Sequence, residues 1–304
     1  MSEISESGDG SLDISDVERL DTGTAHIARV YDYWLGGKDN FVADRTAGDE
    51  ALEAFPGLIS SVRANRAFLA RTVRYLAGER GIRQFLDIGT GIPASNNTHE
   101  VAQSVAPGTR VVYVDNDSMV LAHARALLGS GPHGATDYID ADLRDTGKIL
   151  EIAGRTIDFT EPVAVMLIAV LHLIRDEDNP RQIIEKLMAA VPPGSSLSIS
   201  HVPNDMHMGQ MSDMSDRLNR LLAQPSTYRS RAEVTGFFDG LELVEPGVTP
   251  IQQWRPDTPE EASAVAAMWG GVAFKMLDSR TIDPDLQSKI KIDHLERSVR
   301  CLPS

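Results

Sequence analysis

Three carboxylates in the first half of the chain stand where short apolar runs end. Asp87 follows "QFL" and precedes Gly89-Thr90-Gly91 by two residues; Asp115 closes "VVYVD"; Asp142 closes "TDYIDAD". Neighbouring carboxylates accept hydrogen bonds from hydroxyls and amines and balance an ammonium. The glycines point the same way, because Gly89-Thr90-Gly91-Ile92-Pro93-Ala94 fits G-x-G-x-x-[GA]. The first glycine permits a tight turn, the second lets backbone approach a ligand, and the next helix offers free N–H groups. Asn97 with Glu100 three residues on marks the start of that helix. The loop therefore joins a strand to a capped helix, the context the pattern needs. Asp115 lies 24 residues beyond Gly91, where an acid accepts from a ribose diol. A helix N-cap is the competing reading for Asp115, and Asp117 competes for that role.

Both a nicotinamide dinucleotide and S-adenosylmethionine suit such a loop, and three features favour the latter. Asp87 would repel a pyrophosphate but could take an ammonium. The loop after Gly91 contains Pro93 and is longer than a tight pyrophosphate turn. Asp142 offers an acceptor for an exocyclic amine. A ligand with an amino acid, a ribose and an adenine, and no phosphate, matches three acids.

Methyl transfer from a sulfonium needs positioning and exclusion of water more than acid–base chemistry. A base is needed only where the acceptor must lose a proton. His172, in "AVLHLI" at the end of the fourth strand, is a candidate, with a structural histidine as the alternative; Tyr33 is the other candidate. His201 carries the same ambiguity. The spacing of His201, Asp205 and His207 fits no common metal motif, and Ser200-His201 lacks the context of a nucleophile elbow.

The elements that must hold these residues can be read from periodicity. From residue 84 to about 202, strands alternate with helices at 98–105, 118–128, 144–152 and 179–190. This argues for a parallel sheet covered on both faces. Upstream, 60–77 reads as a helix. Arg63, Arg66, Arg71, Arg74, Arg80 and Arg83 in this region read as a solvated basic face. Downstream, a methionine-rich helix is expected from 208 to 223, as core or as a loose lid. A helix at 230–238, a strand at "LELVEP" and a final helix-plus-strand at "ASAVAAMWGGVAFKM" complete the pattern.

A formal net charge of −15 argues against nucleic acid, whose binders neutralise phosphates. The one cysteine, Cys301, allows no disulfide within the chain and reads as a reducing, cytoplasmic setting. The acidic start lacks the apolar core of a signal peptide. The longest apolar run, 163–171, is far short of the roughly 20 residues that cross a membrane.

"YDYWLGGKDNF", "DIGTGIPASNNTHEVAQSVAP", "VVYVDNDSMVLAHARALL", "YIDADLRD" and "AVLHLI" resemble the S-adenosylmethionine-dependent methyltransferase family of actinobacteria, long filed as a domain of unknown function. The resemblance covers about residues 24–275. It implies an α/β, Rossmann-like class I methyltransferase fold. The sheet would be mostly parallel and seven-stranded, with an antiparallel last strand, helices on both faces and an N-terminal helical cover. It implies cofactor contacts at Asp87, Gly89, Thr90 and Gly91, at Asp115 with Asn116 for the ribose, and at Asp142 with Leu143 for the adenine. It names no acceptor. The "GGVAFK" ending and the tail past 276 depart from the family's usual form. Ala169-Val170-Leu171-His172 stands where many amine methyltransferases carry Asn/Asp-Pro-Pro-Tyr. That argues against a nucleobase amine or a glutamine amide as acceptor.

The expected organisation is an acidic, disordered stretch at 1–22, a helical cover at 23–81, the methyltransferase domain at 82–277 and a tail at 278–304. In the cover, Tyr31, Trp34, Gly37, Lys38 and Asn40 are candidates for binding the acceptor. The competing reading is that the aromatics anchor a helix and the glycines end it. The expected function is methyl transfer from S-adenosylmethionine to a small molecule, with no nucleic acid and no membrane partner. The alternative is a non-catalytic S-adenosylmethionine-binding sensor.

Overall fold

The computed structural model describes residues 21–117, 119–120 and 134–277. The acidic segment at 1–20, most of the helix expected at 118–128, Cys301 and the tail at 278–304 lie outside the described residues.

Five strands, β1 (Gln84–Ile88), β2 (Arg110–Asp115), β3 (Thr136–Asp140), β4 (Ala164–Ile168) and β5 (Ser196–His201), pair in parallel. Strand β8 (Trp269–Phe274) runs antiparallel beside β5 and pairs with the two-residue strands β6 (Glu242–Leu243) and β7 (Thr249–Pro250). The sheet order is β3-β2-β1-β4-β5-β8-β6, with β7 off that path. The seven strands on the path match the expected architecture, and β7 adds a short eighth. Chain direction in the sheet reverses its progression between β1 and β4, and ligands of open α/β sheets bind outside the strand ends at that point.

Strand side chains alternate between faces. Leu86, Ile88, Val112, Val114, Val165 and Leu167 pack beneath Ile149 of helix α5 (Thr146–Ala153) and Leu187 of α6 (Pro180–Ala190). Phe85, Val111, Tyr113 and Met166 meet Phe68 and Val73 of α3 (Leu58–Arg74) and Trp254 on the other side. Both faces are covered, so β1, β4 and β5 are buried along their whole length, and β4 is a continuous apolar run.

The cover is a third core. Helices α1 (Ile27–Leu35) and α2 (Val42–Ala54) pack through Val30, Trp34 and Ala51 against Met211, Met214 and Leu218 of α7 (Met208–Leu221). A bridge between Ala25 and Leu222 and salt bridges from Arg217 to Glu50 and Glu53 tie it together. The cover therefore recruits α7 from far down the chain, while most of α3 packs on the sheet. The buried methionines are core, although Met208 is exposed.

Two local expectations change. Arg71 is buried rather than solvated: it donates to the carbonyls of Trp254 and Ile251 and pairs with Glu261 at 3.0 Å. Helix α3 packs on the 251–261 segment, so Arg71 turns inward, and half-buried Arg66 donates to the Ser95 carbonyl and Asn97, a second position of the basic stretch that leaves solvent. The segment before β8 forms only the short helix Pro259–Ala262, and 263–268 runs without regular structure.

Candidate functional site

Gly89 follows β1 with φ +76°, and a Cβ there would run into the Val170 side chain. Backbone conformation and close approach both demand glycine. Gly91, at φ +67°, has open space where a Cβ would point, so its backbone faces a cavity. The loop is pinned to β2: Gly89 N–H donates to the Val114 carbonyl at 2.8 Å, and Gly91 N–H to Asp115 Oδ2 at 2.8 Å. Helix α4 (Thr98–Val105) starts just beyond, with the Asn97 N–H donating to Glu100 Oε2 at 2.8 Å.

Asp87 lies fully within the fold, and Thr98 Oγ1 donates to it at 2.6 Å. Burial pushes its carboxyl up to about 6, against the pull of the Thr98 bond and the Arg66 charge. Burial also raises Asp115, although the N–H groups of Asp117 and Gly91 favour its charged form. Asp142 is held below the usual carboxylate range: burial raises it, and this is outweighed by Arg144, which grips both its oxygens at 2.8 and 3.1 Å. Asn116 Nδ2 reaches the same carboxylate at 3.4 Å. Asp87, Gly89, Thr90, Gly91, Asp115, Asn116, Asp142 and Leu143 all line one cavity at the carboxyl ends of β1 to β4.

The N-terminal segment closes over this cavity through His26, which the sequence did not single out, and through Arg66, whose solvated reading the structure overturns. His26 lines it and places Nδ1 2.7 Å from Asp117 Oδ2. Behind it, Asp44 is buried, accepting from the N–H groups of His26 and Phe41 and facing Arg29 at 3.3 Å. Arg66 lines the same cavity and donates to the Ser95 carbonyl. These contacts join residues far apart in the chain, so no local pattern announces them.

Tyr31 lines the cavity as well, whereas Tyr33, Gly37, Lys38 and Asn40 do not. Tyr33 is turned outward, donating to Asp49 at 2.8 Å. Gly36, at φ +83°, ends α1 in a left-handed cap, and a Cβ on Gly37 would collide with the Asp32 carboxylate. Asn40 donates to Asp32 and to the Gly37 carbonyl, and Lys38 is exposed. The polar part of the segment thus builds a helix end rather than a ligand wall.

Trp34 reaches a second chamber, lined also by Phe55, Met211, Met214, Tyr228 and His172. Ile27, Tyr31 and Ala169 border both cavities. Asn65 Nδ2 donates to the Tyr31 hydroxyl at 3.0 Å, and Ser200 Oγ donates to Asn65 Oδ1 at 2.6 Å, which fixes that shared wall to β5. Burial and then the Arg229 charge lower His172 to about 4, so its imidazole is neutral at pH 7. It is a weak base there. His201 stacks edge-on at 5.8 Å but is satisfied: Nδ1 bonds the Val202 carbonyl and Nε2 takes an Arg229 N–H. Buried Arg229 also donates to the carbonyls of Leu171 and Ile174, which fixes the turn carrying His172.

Comparison with known proteins identifies the lineage. The family model described as S-adenosyl methyltransferase matches residues 14–276. The chain belongs to the S-adenosyl methyltransferase family. A crystal structure of a DUF574 family protein from Streptomyces avermitilis is 45% identical, over 84% of this chain and 100% of that one, with a TM-score of 0.82. A candidate methyltransferase from Thermobifida fusca is 41% identical, over 84% and 97% of the two chains, with a TM-score of 0.78. No curated protein matches the chain. As a member of this family, the protein is an S-adenosylmethionine-dependent methyltransferase. The residues present suit that cofactor. Asp87 is a buried carboxylate that forms no close ion pair among the described residues, with the Arg66 charge acting on it from further off, and the bare backbone at Gly91 faces the same cavity.

Proposed function

We propose that the protein methylates a small molecule, with the cofactor in the cavity above β1 to β4 and the acceptor in the chamber beyond Tyr31. The observation that carries this reading is the shared wall of Ile27, Tyr31 and Ala169, which sets the two spaces end to end. S-adenosylmethionine supplies a methyl group already activated on a sulfonium. The chain's task is then to align and to exclude water.

In this reading Asp87 balances the ammonium of the cofactor's amino acid. The Gly89–Gly91 backbone lies against that end. Asp115, already fixed by two backbone N–H groups, accepts from the ribose hydroxyls. Asp142, steadied by Arg144, faces the adenine beside Leu143. Tyr31 keeps its proton because burial raises it, and Asn65 holds it in place. Helices α1, α2 and α7 roof the acceptor.

The single cysteine in 304 residues fits work in a reducing cytoplasm. No helix among the described residues is long and apolar enough to cross a membrane.

Calorimetry with S-adenosylmethionine and S-adenosylhomocysteine tests the cofactor half, and slow conversion of one to the other in the presence of a cell's small-molecule extract tests the acceptor half. Conversion supported only by the protein or nucleic-acid fraction of that extract would overturn the small-molecule reading.

A further inference from the structure

None of the side chains lining the second chamber is an Asp, Glu, Lys or Arg. The cofactor cavity next to it, by contrast, holds Asp87, Asp115, Asp142, Arg66 and Arg144. A charged group entering the chamber would lose its water and find no counter-ion, a large penalty.

The chamber's few polar groups are mostly spoken for. Ser61 Oγ donates to the Gly57 carbonyl and accepts from Ala267 N–H, and Ser226 Oγ donates to Asn219. His172 differs. Its ring is more than nine-tenths buried, and Nδ1 has no hydrogen-bond partner. Buried polar atoms are satisfied in the great majority of cases, and no hydrogen bond among the described residues reaches either nitrogen of this ring, which borders the chamber, so the imidazole marks a place for a ligand's polar group.

The remaining walls favour a flat apolar body. Trp34 is locked by its Nε1–H to the Gly48 carbonyl at 3.2 Å and meets Tyr31 edge-on at 6.3 Å. Met211 and Met214, which line the same chamber, are flexible and polarizable, and sulfur packs well on aromatic rings.

We infer that the acceptor is an uncharged, aromatic small molecule, seated against the wall that Trp34 and the α7 methionines share, with one hydrogen-bonding group on the His172 imidazole. This rests on the methyl-transfer reading above and specifies its substrate class. His172 is an acceptor-binding residue. Its reach into the chamber is set by Arg229, which holds the 171–174 turn.

The test uses the full chain saturated with S-adenosylhomocysteine and three probes of one shape: 2-naphthol, 2-naphthoate and naphthalene. Titration calorimetry reads each affinity. The expected order is naphthol tightest, naphthalene weaker by roughly fivefold to tenfold for one lost hydrogen bond, and naphthoate weakest. His172→Phe should erase the preference for naphthol over naphthalene while S-adenosylhomocysteine still binds. Met214→Trp, which fills the chamber, should abolish naphthol binding.

The inference falls if naphthoate binds as well as naphthol, if the preference survives His172→Phe, or if Met214→Trp leaves naphthol binding intact. The wild-type ranking decides even where a variant does not fold. Failure of S-adenosylhomocysteine to bind the wild type would sink the cofactor site itself. Its binding without any naphthol binding would sink only the acceptor class.

Discussion

Replacing Asp87 by Asn isolates the cofactor's ammonium partner and gives a signature in protons. In the free protein the Asp87 carboxyl sits at about 6 rather than 3.8, chiefly because burial disfavours its charge. Between those two values the native state holds a proton that the unfolded chain has released. The native state therefore binds more protons, and stability falls as pH rises through that window. Raising the carboxyl from 3.8 to about 6 costs about 3 kcal/mol of native stability at pH 7. Asp87→Asn should remove that slope and leave the free protein more stable at neutral pH. An ammonium beside Asp87 reverses its preference and draws the proton off. At pH 5.5 roughly three-quarters of the wild-type carboxyls are protonated, so S-adenosylhomocysteine should release up to that fraction of a proton from this group. Calorimetry at pH 5.5 in two buffers of different protonation enthalpy measures the release. The Asn variant should lose that release and bind the ligand more weakly. Equal proton release by the two proteins would refute the pairing, whatever happens to affinity.

Four further outcomes follow from the same geometry. Asp115→Ala should weaken S-adenosylhomocysteine by about 1–3 kcal/mol in calorimetry, the loss expected for a charged acceptor; unchanged affinity would mean the ribose lies elsewhere. Tyr33→Phe and Lys38→Ala, which point away from both cavities, should leave that affinity unchanged. Gly89→Ala should lower the unfolding free energy more than Gly91→Ala. Both have positive φ, which costs about 1–2 kcal/mol for a residue with a side chain, but only at Gly89 does the new carbon meet Val170; equal losses in urea would contradict this. Asp44→Ala leaves Arg29 buried without its acid and should cost about 3–5 kcal/mol in the same assay.

The glycine loop was legible because its meaning is local. A strand, two glycines and a capped helix stand within twenty residues of sequence. The three acids were legible because strand ends in a parallel sheet converge by construction. Helix α7 was placed from its period, yet nothing in its sequence said that it roofs the N-terminal helices. Arg71 was misjudged because charge pattern cannot distinguish a solvated arginine from one whose fork reaches carbonyls 180 and 183 residues away. His26, Asp44 and Arg229 were missed for the same reason. The aromatic–glycine segment divided: Tyr31 and Trp34 line cavities, while Gly36 and Gly37 answer to helix geometry and to Asp32.

Tyr31 stands between the two cavities, held from one side by Asn65. A partition with two tenants makes them interdependent. If one ligand moves or stiffens that ring, the other meets an altered wall, and thermodynamic reciprocity requires the same factor in both directions. The effect of S-adenosylhomocysteine on acceptor affinity can therefore be measured backwards, as the effect of an acceptor on S-adenosylhomocysteine. Tyr31 is the residue at which cutting that conversation should leave two sites that bind independently.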